Sequence, residues 1–295
     1  MALKELSELT DCIKMLTQEN LEAVIHLSIE CCIASMEANG NELDSSSLDI
    51  IGEALQTRKV ADMIVAQANE LIQSEEIVHR ALGIRILAKV MFNESSALSS
   101  QYEEVKRIFI DSLTNEEEDI TVKTAILWSL LDFEGATIEV SSLTSDLIKV
   151  ILPFIEYEDE KIRSLAYQVL INLTESCDIE IEGLFEEVWG FMGGVGETDI
   201  VNYIHYIGKI LEMQTDLEDD VVDALYEWID TLTSEEQEIT VRAATLYVIA
   251  ALMKQQNEVI EDLVEAAKAI CDIALQEEND DVICDALSFL TITAQ

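Results

Sequence analysis

An apolar anchor residue recurs about every forty residues along this sequence, and this period constrains the fold more than any other feature. Successive anchors are separated by 44, 40, 38, 41 and 41 residues. An acidic residue or an asparagine stands three residues before each anchor, and apolar residues follow it at helical spacing. A polar residue ahead of such a pattern favours a helix start. The anchors are Val78, Val122, Ile162, Ile200, Val241 and Val282.

A second amphipathic stretch precedes every anchor, so each repeat is predicted to be a helical hairpin. The predicted first helices span residues 58–73, 99–114, 141–156, 180–193, 217–232 and 257–275. The predicted second helices span residues 76–93, 118–133, 159–175, 198–213, 238–255 and 280–293. Residues 3–17 and 19–38 are predicted to form a seventh hairpin, followed by an irregular connection over 39–47. One such unit cannot bury its apolar face alone, so successive hairpins are expected to stack.

The residues around the anchors resemble the HEAT-repeat pattern. That family places an acidic residue in the turn between its two helices, then Val-Arg, then a small residue and a leucine along the second helix. Residues 159–170 follow this pattern, with Asp159 in the turn and Ile162-Arg163 after it. Residues 119–125 and 238–244 follow it nearly as well.

The resemblance implies an all-α fold, a right-handed α-solenoid of about six to seven HEAT-like hairpins. It implies a single domain over residues 1–295, with clear repeats over 75–295 and less regular ones over 1–74. The fifth and seventh repeats depart from the pattern, because Val201 and Ile283 stand where a basic residue is expected.

The acidic residue of each repeat is expected to cap the second helix and to oppose its dipole. The basic residue after the anchor is expected to reach an acidic residue of the same or a neighbouring repeat. For Arg163 the expected partner is Asp159 or Asp119. We call the position directly after the anchor the ladder position, and His79 occupies it in its own repeat.

Three further residues carry predictions about the helices themselves. Pro153 falls inside a predicted first helix and is expected to kink or shorten it. Phe109 and Trp228 each lie 13 residues before an anchor. Their rings are predicted to fill the seams between adjacent hairpins.

The charge of the chain excludes several classes of partner. The sequence has 60 acidic against 17 basic side chains, a formal net charge of −43. Nucleic-acid phosphates and anionic membrane surfaces would repel it. Hydrophobic residues make up 49%, which is too apolar for a disordered acidic tail, yet no apolar run approaches the ~20 residues of a membrane helix. The charged first residues do not resemble a signal peptide, so a cytoplasmic location is expected.

No motif in the sequence predicts catalysis or a bound cofactor or metal. The segment Gly193–Thr198 resembles a phosphate-binding loop, but Glu197 stands where that loop needs lysine. His26, His79 and His205 lie in no metal-binding motif, and the acidic runs lack the glycine of a calcium loop. No serine or cysteine stands with a histidine in a local signature of nucleophilic catalysis. We therefore expect no enzyme activity.

Acidic residues flank the turns between the first and second helices, and stacking would gather these turns along one edge. The alternatives left open are a merely solubilising edge and adaptation to a high-salt cytoplasm. Lysine outnumbers arginine, isoleucine is abundant and six cysteines are retained, a composition unusual for strongly halophilic proteins. The predicted partner-binding residues are Glu116, Glu117, Glu118, Asp119, Glu158, Asp159, Glu197, Asp199, Glu235, Glu236, Glu278 and Asp280.

The sequence is interpreted as that of a non-enzymatic scaffold or adaptor, which binds a basic protein partner through its concave face or acidic edge. The resemblance to acidic karyopherin-like HEAT proteins supports a basic partner, and HEAT subunits of larger complexes offer a similar role. The alternative is an enzyme or lyase accessory of the HEAT-like bilin-lyase type. A deep polar pocket with converging ionisable groups would favour that alternative.

Overall fold

The computed structural model describes most of the chain and is all-α within the part described. The described residues are 16–38, 45–55, 58–91, 99–131, 141–175, 183–214, 217, 219–256 and 261–293. The chain divides into two compact units, Met1–Glu139 and Val140–Gln295. The single domain expected from the sequence stays a prediction.

Helical hairpins fill both units. The first unit contains α1 (Gln18–Ala38), α2 (Ser45–Leu55), α3 (Arg58–Ile72), α4 (Ile77–Met91), α5 (Ser99–Thr114) and α6 (Ile120–Leu131). The second contains α7 (Ser141–Ile151), α8 (Glu160–Glu175), α9 (Leu184–Gly190), α10 (Ile200–Met213), α11 (Asp219–Thr233), α12 (Ile239–Gln256), α13 (Glu261–Ala274) and α14 (Asp280–Thr293). Two short 3-10 helices, Leu152–Glu156 and Met192–Gly194, follow α7 and α9.

Within each unit, the second helices form most of the contact between neighbouring hairpins. In the first unit α4 packs against its partner α3 and against α6. In the second unit α8, α10, α12 and α14 pack one against the next, and the first helices α7, α9, α11 and α13 each contact their own second helix. The six hairpins predicted between residues 58 and 293 are therefore confirmed.

This arrangement follows from where the apolar residues lie on each helix. The second helix α12 is apolar on nearly all sides, and Val241, Leu246, Ile249 and Leu252 are all buried. A helix that is hydrophobic all round must be covered on several sides. Each such side chain contributes about 1.5–3 kcal/mol when it is fully buried. The first helices are amphipathic and leave their polar side in solvent.

The N-terminal region differs from the prediction. Residues 45–47 were expected to belong to an irregular connection, but they begin helix α2. The serine run suggests a loop, yet Leu48, Ile51 and Leu55 follow at helical spacing and are buried. Helix α1 packs against α2, α3 and α4. The predicted helix over residues 3–17 lies almost wholly outside the described residues.

The expectations for Pro153 and for the ring of Trp228 are confirmed, while Phe109 is shown only to be buried. Helix α7 ends at Ile151, and Pro153 lies in the 3-10 helix that continues it. Phe109 is fully buried. The ring of Trp228 on α11 meets those of Trp189 and Tyr203 of the preceding hairpin edge-on, at centroid distances of 5.3 and 5.9 Å. These contacts place Trp228 in the seam between two hairpins.

The start of each second helix corrects the predicted register in two repeats. In every repeat the carbonyl of the capping residue accepts from the N–H four residues later. These pairs are Glu76 with Arg80, Asp119 with Lys123, Asp159 with Arg163, Asp199 with Tyr203, Glu238 with Arg242, and Asn279 with Ile283. The sequence pattern predicts Glu75 and Glu197 as the caps in two of these repeats. Arg80 therefore holds the ladder position instead of His79, and Tyr203 holds it instead of Val201.

Candidate functional site

Two arginines link the turn of their own hairpin to the turn of the next one. Arg163 Nε donates to Asp199 Oδ2 at 2.7 Å, and its Nη1 donates to the carbonyls of Tyr157 and Glu158 at 2.9 and 2.8 Å. The predicted partners of Arg163, Asp159 and Asp119, are therefore wrong, although a partner in a neighbouring repeat was among the expectations.

Arg80 repeats this geometry in the first unit. Its Nε and Nη2 donate to Glu118 Oε1 at 3.2 and 2.9 Å. Its Nη1 donates to the carbonyls of Ser74 and Glu75 at 3.2 and 3.0 Å. The acceptor carbonyls lie six and five residues before the arginine, as they do for Arg163. The same set of hydrogen bonds thus occurs twice within the described residues, and we call Arg80 and Arg163 with their acceptors the arginine ladder.

The twelve predicted partner-binding residues divide into three groups. Glu118 and Asp199 are held in the ion pairs of the arginine ladder. Asp119 and Asp159 cap α6 and α8, because their Oδ1 atoms each accept from the N–H two residues later at 2.8 Å, which confirms the expected caps. The other eight are exposed, and we call them the acidic edge: Glu116, Glu117, Glu158, Glu197, Glu235, Glu236, Glu278 and Asp280.

Seven carboxylates of the acidic edge lie in the turns before second helices, and the eighth, Asp280, is the first residue of α14. Glu116 and Glu117 belong to the first unit and the other six to the second. None of the eight forms an ion pair with another described residue. Their charge is therefore not neutralised within the described part of the chain.

A cavity of about 380 Å³ lies between two of these turns in the second unit. Arg163 and Asp199 line it, together with residues of the turns that precede α8 and α10. Burial raises the pKa of the Tyr167 hydroxyl in its wall, and the charge of Asp199 raises it further. The charge of Arg163 acts in the opposite direction.

Asp199 differs from the other capping aspartates. It is the N-cap residue of α10, but its side chain makes no capping hydrogen bond. The residue is 4% exposed, and its Oδ1 has no hydrogen-bond partner. Asp119 and Asp159 use the same atom as a cap. A missing cap of this kind costs a helix about 0.5–2 kcal/mol, so the position of Asp199 in the cavity wall is unfavourable for α10 itself.

A cluster of charged residues on the second helices was not predicted from the sequence. Glu212 accepts from Lys209 Nζ at 3.1 Å, from the Tyr247 hydroxyl at 3.0 Å and from Lys254 Nζ at 3.2 Å. Lys209 also reaches Glu175 at 3.2 Å. The cluster spans α8, α10 and α12. Glu212 and Lys254 are 42 residues apart, close to one repeat, which is the signal that could have indicated this contact.

The ionisation of this cluster favours a structural role. Burial acts to raise the pKa of Glu212, but hydrogen bonds from Lys209, Tyr247 and Lys254 outweigh it, so the pKa is lowered overall. Burial acts to lower the pKa of Lys209, but its partners outweigh it and raise the pKa overall. Both groups are thereby held in their charged forms. A general acid or base instead needs a pKa moved toward the working pH.

Each of the three histidines has a polar partner of its own. His205 on α10 lies 3.1 Å from Asp285 on α14, and its ring meets that of Tyr247 edge-on. His79 Nδ1 lies 3.3 Å from the Ser74 hydroxyl. His26 faces Glu30 at 3.4 Å on the exposed side of α1. Within the described ranges, no three or more histidine, cysteine or acidic side chains are gathered so that they could hold a metal ion.

Comparison with known proteins supports the fold and is silent on function. No family model matches the chain, and no curated protein matches it. The crystal structure of an engineered protein is similar over 97% of this chain and 78% of that chain, with a TM-score of 0.54 and 13% identity. At this identity the likeness concerns the fold alone. In the part of the chain that the structure describes, no helix is both long and apolar enough to cross a membrane.

Proposed function

We propose that the chain is a non-enzymatic scaffold of the HEAT-type α-solenoid class, acting in the cytoplasm, which binds a protein with a basic surface through its acidic edge. The observation that carries this proposal is the set of eight exposed carboxylates that no described cation neutralises. A surface kept only for solubility would serve equally well with its charge spread over all the helices. Exposed carboxylates also lie on the first helices, but those of the acidic edge recur at the same place in successive hairpins.

The physics of the acidic edge favours a basic partner. Packed helices lie about 8–10 Å apart, so neighbouring turns bring their carboxylates within roughly one Debye length at physiological salt, ~8 Å. Such clustering produces a negative potential that steers cations toward the surface. The same potential, together with the net charge of −43, disfavours nucleic acids and anionic membranes as direct partners.

In the cavity beside Arg163, which gathers ionisable groups, the pKa of the Tyr167 hydroxyl is raised, away from neutrality. The lyase-accessory alternative finds only partial support there. It needs ionisable groups that converge with perturbed pKa values suited to proton transfer. The cluster around Glu212 holds its members in their ordinary charged states. The scaffold is therefore the better supported of the two functions.

The test is the binding of a lysine-rich peptide at several salt concentrations. Reversing Glu116, Glu117, Glu158 and Glu235 to lysine should weaken binding by about a hundredfold or more in low salt, since about four charges of each sign are exchanged at the contact. A matched control reverses four exposed carboxylates of first helices, two in each unit, and should bind like the parent. The control residues are Asp62, Glu70, Asp223 and Glu265. Equal losses in both variants would mean that total charge alone drives the binding, which would contradict the proposal.

A further inference from the structure

The cavity at the acidic edge of the second unit has the dimensions and charge of a cation pocket. Its volume of about 380 Å³ falls within the range of small-ligand pockets, ~300–1,000 Å³. Three carboxylates line it against one guanidinium; they belong to Glu156, Glu158 and Asp199, and the guanidinium to Arg163. Arg163 already donates to Asp199 and to two backbone carbonyls. The lining therefore repels anions and attracts cations.

One oxygen of the Asp199 carboxylate lacks a donor. Asp199 is 4% exposed and shares only Oδ2 with Arg163, while its Oδ1 has no hydrogen-bond partner. In the equivalent pair of the first unit, Glu118 Oε1 accepts from both Arg80 and the N–H of Asp119. Buried polar atoms nearly always have a partner, so this inaccessible oxygen leaves the hydrogen bonding of the Asp199 carboxylate incomplete.

Aromatic rings complete the lining. Tyr157 is 38% exposed, and its ring is stacked on that of buried Phe154 at a centroid distance of 6.2 Å. Phe191 contributes a second, half-buried ring to the cavity. Ring faces together with carboxylates form the usual environment for an alkylammonium or guanidinium group.

We propose that this cavity receives the side chain of a lysine or arginine of the partner, with its cationic group between the carboxylates of Glu156 and Asp199 and the ring of Tyr157. The partner is the basic protein of the proposed function, on which this inference rests. The acidic edge then supplies long-range attraction, and the cavity supplies a single defined contact.

Two adjacent glycines allow the cavity to be blocked without changing any charge. A Cβ on Gly194, which lines the cavity, would lie 3.8 Å from Glu156 Oε1, whereas a Cβ on Gly193 would meet nothing within 4 Å. Neither glycine has a positive φ, so both positions accept an L-side chain. Gly194→Leu therefore fills the cavity, and Gly193→Leu is its matched control.

The first experiment uses small cations, with the backbone amide of Gly196 observed by NMR. Butylammonium and butylguanidinium represent the two side chains, and n-butanol is the uncharged comparison. Saturable shifts of the Gly196 signal with either cation, but not with butanol, support the proposal, and the cation that binds more tightly identifies the residue. Gly194→Leu should abolish these shifts, while Gly193→Leu retains them. The proposal is wrong if neither cation shifts Gly196, or if Gly194→Leu binds as the parent does.

The second experiment separates this inference from the proposed function. The lysine-rich peptide and an arginine-rich equivalent should bind Gly194→Leu about tenfold more weakly than they bind Gly193→Leu, the loss of one cation–π and carboxylate contact. If Gly194→Leu binds the peptides as the parent does, while the four-site charge reversal loses affinity, the acidic edge is the binding surface and the proposed role of the cavity is wrong. If the cations shift the Gly196 signal but no peptide binds, the cavity is a cation site and the proposed basic protein partner is wrong.

Discussion

Replacing Arg163 with methionine tests whether the arginine ladder stabilises the second unit. Methionine retains an unbranched apolar stem, so the substitution removes the guanidinium with little loss of packing. Three hydrogen bonds disappear with it, one to Asp199 and two to the carbonyls of Tyr157 and Glu158. Asp199 then remains without its cation.

The size of the effect follows from burial. The side chain of Asp199 is 5% exposed and that of Arg163 is 19% exposed. A hydrogen bond to a charged group contributes about 1.5–3 kcal/mol, and removing one partner of a fully buried ion pair costs about 3–5 kcal/mol. Because Arg163 keeps some contact with solvent and the two carbonyls belong to exposed residues, we expect a loss of about 3 kcal/mol. For a unit of this size that corresponds to a fall in Tm of roughly 6–12 °C.

Urea unfolding followed by circular dichroism measures this loss, with Arg107→Met as the comparison. Arg107 also pairs with two acids, Glu104 and Asp111, but its side chain is 60% exposed. Exposed pairs of this kind contribute little, so Arg107→Met should unfold close to the parent. Adding Asp199→Asn to Arg163→Met should recover part of the loss, since the unpaired charge is removed. If Arg163→Met and Arg107→Met unfold at the same urea concentration, the ladder does not stabilise the fold.

Three further predictions follow from close packing and from charge. Gly208→Ala should cost about 1–3 kcal/mol in urea unfolding, because the added Cβ would lie 2.5 Å from Tyr247 Cδ1; Gly52→Ala, whose Cβ has only a 3.8 Å contact, should be neutral or stabilising. Glu212 has a lowered pKa in the folded state, so its charged form stabilises the fold fully above its unfolded pKa of ~4.3, and this stabilisation is lost as the pH falls through the folded pKa. In urea titrations, the difference in unfolding free energy between the parent and Glu212→Gln should therefore decrease over that acidic range. The Tm of the parent should rise with added salt, more per ion for Mg²⁺ than for Na⁺, and a flat profile in calorimetry would mean that the acidic charges do not repel one another.

The helices could be predicted from the sequence because their signals are local. Apolar periodicity and polar helix starts lie within one segment, and the observed second helices begin within two residues of the predicted positions. Helix α2 was missed because the three serines that begin it favour caps and turns as strongly as they favour any helix.

The register errors have a physical cause in turn length. An apolar anchor marks which face of a helix is buried, but it does not say where the helix begins. In the fifth repeat the glycine-rich segment between Gly193 and Gly196 lengthens the turn, and the cap moves to Asp199. Ile200 therefore lies one residue after the cap, whereas the pattern predicts it three residues after the cap.

The candidate site could be predicted only in part. Acidic residues in the turns are visible in the sequence, and eight of the twelve selected ones are exposed. Contacts between hairpins decide which acidic side chains form ion pairs within the chain. One such contact joins Arg163 to Asp199, which are 36 residues apart. The cavity depends on the approach of two separate turns, for which no local pattern exists.

Arg242 provides the contrasting case at the same repeat position as Arg163. Its backbone N–H donates to the carbonyl of Glu238, as the N–H of Arg163 donates to the carbonyl of Asp159. The next cap along the chain is Asn279, an uncharged amide whose oxygen accepts from the N–H of Asp281. No ion pair of Arg242 is found among the described residues, and its buried Nε has no hydrogen-bond partner.

An arginine with a buried and unpartnered Nε has lost hydration without gaining a bond, which costs about 1–3 kcal/mol. Arg242→Met removes that cost together with the charge, so it should change the free energy of unfolding by less than about 1 kcal/mol. Arg163→Met, the same substitution at the equivalent position, should lose about 3 kcal/mol, because there the guanidinium faces a carboxylate. Urea unfolding of the two variants side by side measures the difference. Equal losses would show that the ion pair with Asp199 adds nothing to the stability that Arg163 provides.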